Sequence, residues 1–553
     1  MKDIKKTNIF SDFELFLNNK IKIFKKNNPK NLELKLILKG SYVLKKNNQI
    51  NRNFNDIDIC FSHNTKQSTK EKFLLFLKQE IKDSTYDENL FVFYWKNIKI
   101  EFIALENINL KFCKQIKNSD LFFLKLNFHI FQVFLSLAYI MVPVFQHNRE
   151  QKILNIEKDL TKILNFNTLN LNINEKINEE FLMSQIYTST IISFHYNYKY
   201  LPINNFLNNF KKFNFLEKIL NFWDSINVNI KLKKIISNSN NFLYILSNEK
   251  ENMIDFLKFP SLPGFEISII NKFLNKLDSL KDKNTYDVEN INNNFILLSN
   301  QKNKILYTIN SDEVGGILFN NKIYDLGKIN WGSKPICIYD QNSNYLKTIL
   351  SKKQNDDIFS AKKIKKINKF NLLLTKKNDF KKNEIYQILP ESKFDINSKE
   401  LSSRNLDNRL NLLLFYYFFI TKKDFVLTTK KEVGSTPFKD VEFKNKINAF
   451  NKIINLEIFE IPDWDTEKIL IKVADNFSVA NMKLINEIKN FLDTYYIPYK
   501  LFFDTKSAHI TEFQNFNNSI TISIGANKIH STFSKATLKN FLYLMNFIWE
   551  YES

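Results

Sequence analysis

Apolar and polar positions follow two periods along this chain. Residues 8–28, containing IFSDFELFLNNKIKIFKK, carry apolar positions at helical spacing and predict a helix stopped by Asn27-Asn28-Pro29. LELKLILKG (32–40), NDIDICF (55–61) and LFVFYWKNIKIEFIAL (90–105) read as strands, the last run supplying two. From about residue 120 to 235 the pattern is mostly helical and rich in Phe, Leu and Ile, and ISNSNN (236–241) reads as a linker. Beyond about residue 250 short strands such as NKILYTI, DFVLTT, KILIKVA and SITISIG alternate with helical runs such as NLLLFYYFF and VANMKLINEIKNFLDTYY. That alternation predicts a mostly parallel sheet covered by helices. The expected fold class is α/β multidomain, because 553 residues exceed what one core holds.

Composition changes this picture only in part. The formal charge of +22 would point to a nucleic-acid partner. Lys, Asn, Ile and Phe are abundant, however, while Gly stands at 8 and Pro at 10, the mark of a coding sequence drifted towards A and T. A solvated Lys-rich surface is then the plain alternative to a functional basic one. Cys60, Cys113 and Cys337 are odd in number and widely spaced, which argues against a disulfide framework or zinc knuckle and for a reducing, cytoplasmic location. Charges interrupt every apolar run of the N-terminus, so it does not read as a signal peptide. The run Ile130 to Phe145 contains Pro143 and falls short of the ~20 apolar residues a membrane span needs; it reads as a buried helix.

Where glycine is this scarce, those that remain mark places where the backbone needs one. Gly40 precedes Ser41 and, further on, Asp56 and Asp58. On a strand, Asp56 and Asp58 share one face while Ile57 and Ile59 point to the other. Two carboxylates on one face can hold Mg²⁺, and Glu101 on a later strand offers a third. Such a set suits in-line attack on a nucleoside triphosphate, with Gly40-Ser41 opening a helix whose N–H groups and hydroxyl can grip phosphate. The alternative is an edge strand with solvated aspartates.

The order Gly-Ser, short helix, Asp-x-Asp and third carboxylate resembles the nucleotidyltransferase superfamily, and the helical half that follows is similar to the abortive-infection toxin type. The resemblance covers roughly residues 1–240, as an α/β domain (1–120) and a helical domain (121–240). It implies Mg²⁺, a nucleoside triphosphate, and an acceptor that is RNA, protein or a small molecule. The gap from Gly40 to Asp56 is long for the family, and Glu101 stands where Asp is usual. The lysine and acid of the family's helical half have candidates in Lys125 and in REQKILNIEKDL (149–160).

From about residue 250 to the end, PSLPGFE, NSDEVGG, NWGSKP, LDNR, KKEVGS, SIGAN and KIHS resemble, in order and spacing, the metallo-aminopeptidases that include the glutamyl and tetrahedral enzymes. The resemblance implies an α/β/α domain (250–316 and 401–553) with an inserted small β-domain (317–400), a two-metal site for Zn²⁺, Co²⁺ or Mn²⁺, and assembly as a homodimer or larger homo-oligomer. It carries metal ligands onto Asp407, Glu432 and His530. Other positions depart from the family: Asn310 stands for a ligand His, Glu457 for a ligand Asp, Lys431 for the general-base Glu, and Lys506 for the Asp of Thr-Asp-Ala. An ammonium does not take a proton from water at neutral pH and repels divalent metal, so hydrolysis is expected to be lost. The other histidines show no ligand spacing.

Three readings follow. The first is an active nucleotidyltransferase joined to a degenerate peptidase-like scaffold that binds a peptide, a partner or itself. The second is a working aminopeptidase with an accessory N-terminal domain. The third is an assembly protein inactive at both sites. Lys431 and Asn310 weigh against the second, and the intact set Gly40, Ser41, Asp56, Asp58 and Glu101 against the third.

Overall fold

The computed structural model describes residues 9–47, 56–86, 90–126, 128–129, 132, 154–155, 158, 175–195, 230–279, 286–291, 294–299, 304–320, 322–327, 335–349, 381, 383–391, 394–397, 399–404, 406–407, 409–410, 413–414, 423–429, 440–475, 479–504, 518–531 and 533–551. The chain is a multidomain α/β protein that divides into two units, Met1–Asn248 and Glu249–Ser553.

In the first unit, helix α1 (Ile9–Asn27) buries Phe13, Leu17, Ile21 and Phe24, which lie three or four residues apart and hence on one face. Strand β1 (Leu36–Lys39) runs into α2 (Gly40–Lys46); β2 (Asp56–Ser62) and α3 (Gln67–Glu80) follow. Then come β3 (Ser84–Tyr86), β4 (Leu90–Trp95), β5 (Ile98–Ile108), β6 (Cys113–Gln115) and β7 (Leu121–Leu124). They form one seven-stranded sheet of order β3-β4-β5-β2-β1-β7-β6. The strand carrying the two aspartates is therefore in the middle of the sheet, which removes the edge-strand alternative.

Period-two alternation makes β2 two-sided. Ile57 and Ile59 are fully buried among Leu36, Leu38, Ile100 and Phe102, while Asp56 and Asp58 on the other face are half-buried. Phe24 meets Phe73 edge-on at 5.2 Å, and Phe73 meets Phe102 at 6.1 Å, tying both helices to the sheet. Each such aromatic pair contributes about 0.5–1.5 kcal/mol beyond its buried area.

The segment ISNSNN is not an irregular turn-rich stretch. It lies inside one continuous helix, Ile230–Lys258, where Ser239 and Asn240 are buried. Packing has overridden the local turn preference of Ser and Asn. Most of the apolar run 130–145 and of REQKILNIEKDL lies outside the described residues.

The strands of the second unit are, in chain order, β8 (Tyr286–Ile291), β9 (Asn294–Ser299), β10 (Ile305–Asn310), β11 (Gly315–Phe319), β12 (Lys322–Leu326), β13 (Ile336–Tyr339), β14 (Tyr345–Ile349), β15 (Ile385–Pro390), β16 (Asp395–Ile396) and β17 (Glu400–Ser403). After them come β18 (Asp424–Thr428), β19 (Lys452–Glu460), β20 (Ile469–Asp475), β21 (Tyr499–Asp504), β22 (Ser519–Asn527) and β23 (Ser534–Thr537). The larger sheet has the order β16-β17-β23-β22-β19-β10-β18-β9-β8, with β20 and β21 branching from β22. Its centre, β18-β10-β19-β22, is parallel, but both flanks are antiparallel. The sheet is thus mixed rather than mostly parallel, because hairpins such as β8-β9 extend a crossover-built centre.

The central strands β10 and β18 are buried along their whole length, as strands covered on both faces must be. The helix Met482–Thr494, capped by the Asn481 side chain, buries Leu484, Ile485, Ile488 and Leu492. A separate antiparallel sheet, β12-β11-β15-β13-β14, follows the end of β10. At Gly315 a Cβ would lie 2.3 Å from Leu262 and 2.7 Å from Leu389, so the glycine lets β11 pack closely there.

Candidate functional site: an acidic cluster on the central strand

The register of β2 against β5 pairs Asp58 with Glu101 and Asp56 with Lys99, in parallel. Paired residues share a face, so Asp56, Asp58, Lys99 and Glu101 stand together. One carboxylate oxygen from each of Asp56, Asp58 and Glu101 lies within 4.8 Å of the others, and among the described residues this is the one such group of ligand side chains. Two oxygens on one Mg²⁺ are at most about 4.2 Å apart, twice the ~2.1 Å bond. Cis oxygens on that ion lie closer, about 3.0 Å apart, so the three acids would draw in around it, and hard oxygen donors suit it.

Gly40 is what allows the cluster to stand against the start of α2. It adopts φ +66°, and a Cβ there would fall 2.4 Å from Asp58 Oδ2. Ser41 donates a long hydrogen bond, 3.4 Å, to Asp56 Oδ1. Gly40 and Ser41 thus stand beside the acids.

The electrostatics are those of a site short of positive charge. Burial, with repulsion from Asp56, Glu101 and Glu106, pushes the Asp58 carboxyl up to about 7 against the pull of Lys39. Lys39, opposite Asp58 on β1, has its ammonium bonded to the buried Glu106. Burial disfavours that charge, but Glu106, Cys60 and Asp58 more than offset it, and the Lys39 pKa is raised. Glu106 accepts in turn from Gln132 Nε2 at 2.8 Å. His129, close by and held neutral by burial, bonds the Leu124 carbonyl at 3.2 Å. Sequence reasoning missed the Lys39–Glu106–Gln132 network, because Glu106 joins it only after a register shift in β5. There five steps along β5 (Phe102 to Asn107) answer two along β2 (Ile59 to Phe61). Lys125 donates to the Lys111 carbonyl at 2.8 Å.

The second unit brings two of its candidate residues together. His530, itself at φ +59°, lies with Nε2 2.8 Å from Asp407 Oδ2. Glu457, on β19, accepts from Asn455 Nδ2 at 2.9 Å, and the Asn310 amide, ending β10, donates to the Asp312 carbonyl at 3.3 Å. Lys431, Glu432 and Lys506 lie outside the described residues.

Three deeply buried charges of this unit were not among its candidates. Glu313 is fully buried and ion-paired with both Arg404 and Arg409, and it accepts from the Ser261 backbone N–H at 3.2 Å. Arg404 also donates to the carbonyls of Pro390 (2.7 Å) and Lys258 (3.2 Å), and Arg409 to that of Phe259 (2.5 Å). The signal was present in NSDEVG and LDNR, whose Glu and Arg form this clasp.

No protein-family model and no curated protein matches the chain. Solved structures do resemble it. A TET1 peptidase of Pyrococcus horikoshii aligns at 15% identity over 55% of this chain and 98% of its own, with a TM-score of 0.43. A TET aminopeptidase from a marine-sediment Thaumarchaeota archaeon aligns at 14% identity over 55% and 95%, with a TM-score of 0.43. Aminopeptidase I from Clostridium acetobutylicum aligns at 12% identity over 57% and 97%, with a TM-score of 0.40. Likeness at this level assigns no activity. Among the described residues no helix is long and apolar enough to cross a membrane.

Proposed function

We propose that the first unit is a Mg²⁺-dependent nucleotidyltransferase, moving a nucleoside monophosphate from a triphosphate to a hydroxyl acceptor. One observation carries the reading: three carboxylates from two adjacent strands gather on the polar, half-buried face of a central strand, beside a glycine that leaves them room. Asp56, Asp58 and Glu101 would hold the metal, and Gly40 and Ser41 would face the phosphates. Bound divalent metal supplies charge stabilisation at the phosphates and acidifies the acceptor hydroxyl. The chain's own part is to hold the α-phosphate in line: an acceptor O–P bond forms as the P–O bond to pyrophosphate breaks.

The test is incubation with each α-labelled nucleoside triphosphate, Mg²⁺ and either tRNA or cell lysate. Label should pass to an acceptor, and Asp58→Ala should cut transfer by roughly a thousandfold, the scale of several kcal/mol of lost charge stabilisation. Transfer that survives Asp58→Ala would refute the assignment.

For the second unit we favour a metallo-aminopeptidase-like scaffold that has lost hydrolysis and binds a peptide, a partner or further copies of this chain. What supports this is the loss at Asn310 and Lys431 of a ligand and a base, while Asp407 and His530 remain side by side. Added Zn²⁺, Co²⁺ or Mn²⁺ should elicit no turnover of N-terminal Glu, Asp or Leu amides; robust turnover would restore the peptidase reading.

A further inference from the structure

The acidic cluster already contains a cation. Lys99 stands opposite Asp56 and two residues before Glu101 on the same face of β5, and its ammonium is bonded to the Glu101 carboxylate. Glu101 cannot give the same oxygen to a metal while that bond stands. The other nearby lysine is fixed: Lys39 is bonded to buried Glu106, which Gln132 holds in turn. Lys99 differs in that its side chain is 41% exposed, and it has a four-carbon stem free to re-aim.

From this contrast we infer that Lys99 is an exchangeable positioning residue: it pairs with Glu101 in the metal-free site and turns to the triphosphate when metal takes the carboxylates. The inference rests on the nucleotidyltransferase reading and goes beyond it by assigning the polyphosphate contact. Its logic is charge conservation at one spot. The arriving divalent ion supplies the positive charge that Glu101 had from Lys99, and the released ammonium meets the negative charge that arrives with the nucleotide. No bond is made or broken in this exchange. It also favours loading of metal and nucleotide together, since free metal must displace an ion pair without giving the lysine a new anion.

The experiment uses the full chain and two readouts other than activity. Mn²⁺ binding is titrated by electron paramagnetic resonance, first alone and then with a non-hydrolysable ATP analogue, for the wild type and for Lys99→Gln and Lys99→Arg. Lys99→Gln should bind Mn²⁺ alone roughly two- to fivefold more tightly, the scale of one half-exposed ion pair. It should bind the analogue in the presence of Mn²⁺ several-fold more weakly, with Lys99→Arg restoring the analogue. Equal Mn²⁺ affinity in wild type and Lys99→Gln overturns the inference and leaves the metal site standing. Tighter Mn²⁺ with unchanged analogue binding overturns the phosphate role. Absence of Mn²⁺ binding in every variant overturns the nucleotidyltransferase reading itself.

Discussion

Each unit holds a charged centre, on a central strand in the first and just past the end of one, between β10 and β11, in the second, and the two differ in charge balance. Around Asp58 stand Asp56 and Glu101, with Lys99 as the cation bonded within the group, and Lys39 is engaged by Glu106. Around Glu313 the ratio is reversed: one carboxylate faces two guanidiniums, and the further guanidinium N–H groups reach backbone carbonyls. Glu313 and Arg409 also sit in motifs of the sequence, but only the acids of the first centre read as a site there. Only the first is left with negative charge that something else must neutralise. The difference teaches that a motif's polar residues divide into those that complete one another and those that wait for a ligand, and that counting charge in place tells the two apart.

Neutralising one acid in each centre should therefore shift stability in opposite directions. Glu313→Gln leaves two buried guanidiniums without a counter-charge, and we expect a loss of about 3–5 kcal/mol, the range for breaking a buried pair from one side. Above about pH 7, where the Asp58 carboxyl is ionised, Asp58→Asn removes repulsion from a crowded site, and the metal-free first unit should gain about 0.5–2 kcal/mol while losing metal binding, the usual trade of stability against function. Calorimetric unfolding separates the two: the transition that Mn²⁺ raises belongs to the first unit, and Glu313→Gln should lower the other. If Asp58→Asn destabilises the metal-free protein as strongly as Glu313→Gln does, the acidic cluster is a structural clasp too.

How much of this contrast could be read from the chain depends on how local the interaction is. The shared face of Asp56 and Asp58 follows from strand periodicity, and α1 from apolar spacing closed by Asn-Asn-Pro. That Glu101 lands opposite Asp58 is a matter of sheet order, and forty-three residues separate them (101 − 58). The resemblance supplied that pairing; the periodicity did not. Glu313 was legible only as a letter in a motif, because its partners Arg404 and Arg409 lie far along the chain and nothing local pairs them. The Ser/Asn run 236–241 misled because its helix buries Ser239 and Asn240, a tertiary fact. The β8-β9 hairpin also went unread.

A milder perturbation sharpens the same contrast. Gly40→Ala asks an L-residue to take φ +66° and places a methyl 2.4 Å from Asp58 Oδ2. The left-handed conformation alone costs about 1–2 kcal/mol. Because the methyl also pushes on a metal ligand, Mn²⁺ affinity should fall by about tenfold, comparable to losing an outer-shell contact. A variant that loses stability but keeps full Mn²⁺ affinity would mean that the glycine serves the turn into α2 and not the acids.

The smallest effect is in pH, and its sign follows from Asp58. In the unfolded chain this carboxyl ionises near 3.8; in the metal-free fold it does so near 7, chiefly through burial and then through Asp56, Glu101 and Glu106. Between those values the folded state carries a proton that the unfolded state lacks. The contribution of Asp58 to stability is therefore full below about pH 4, declines as pH rises, and is lost above about pH 7. Metal competes with that same proton. Below pH 7 each ion bound should release close to one proton, so Mn²⁺ affinity should climb by up to about tenfold per pH unit and flatten above neutrality. Asp58→Asn, with no proton to release, should bind weakly and without this slope. An Mn²⁺ affinity that is flat with pH in the wild type would remove Asp58 from the ligand set even if Asp56 and Glu101 remained in it.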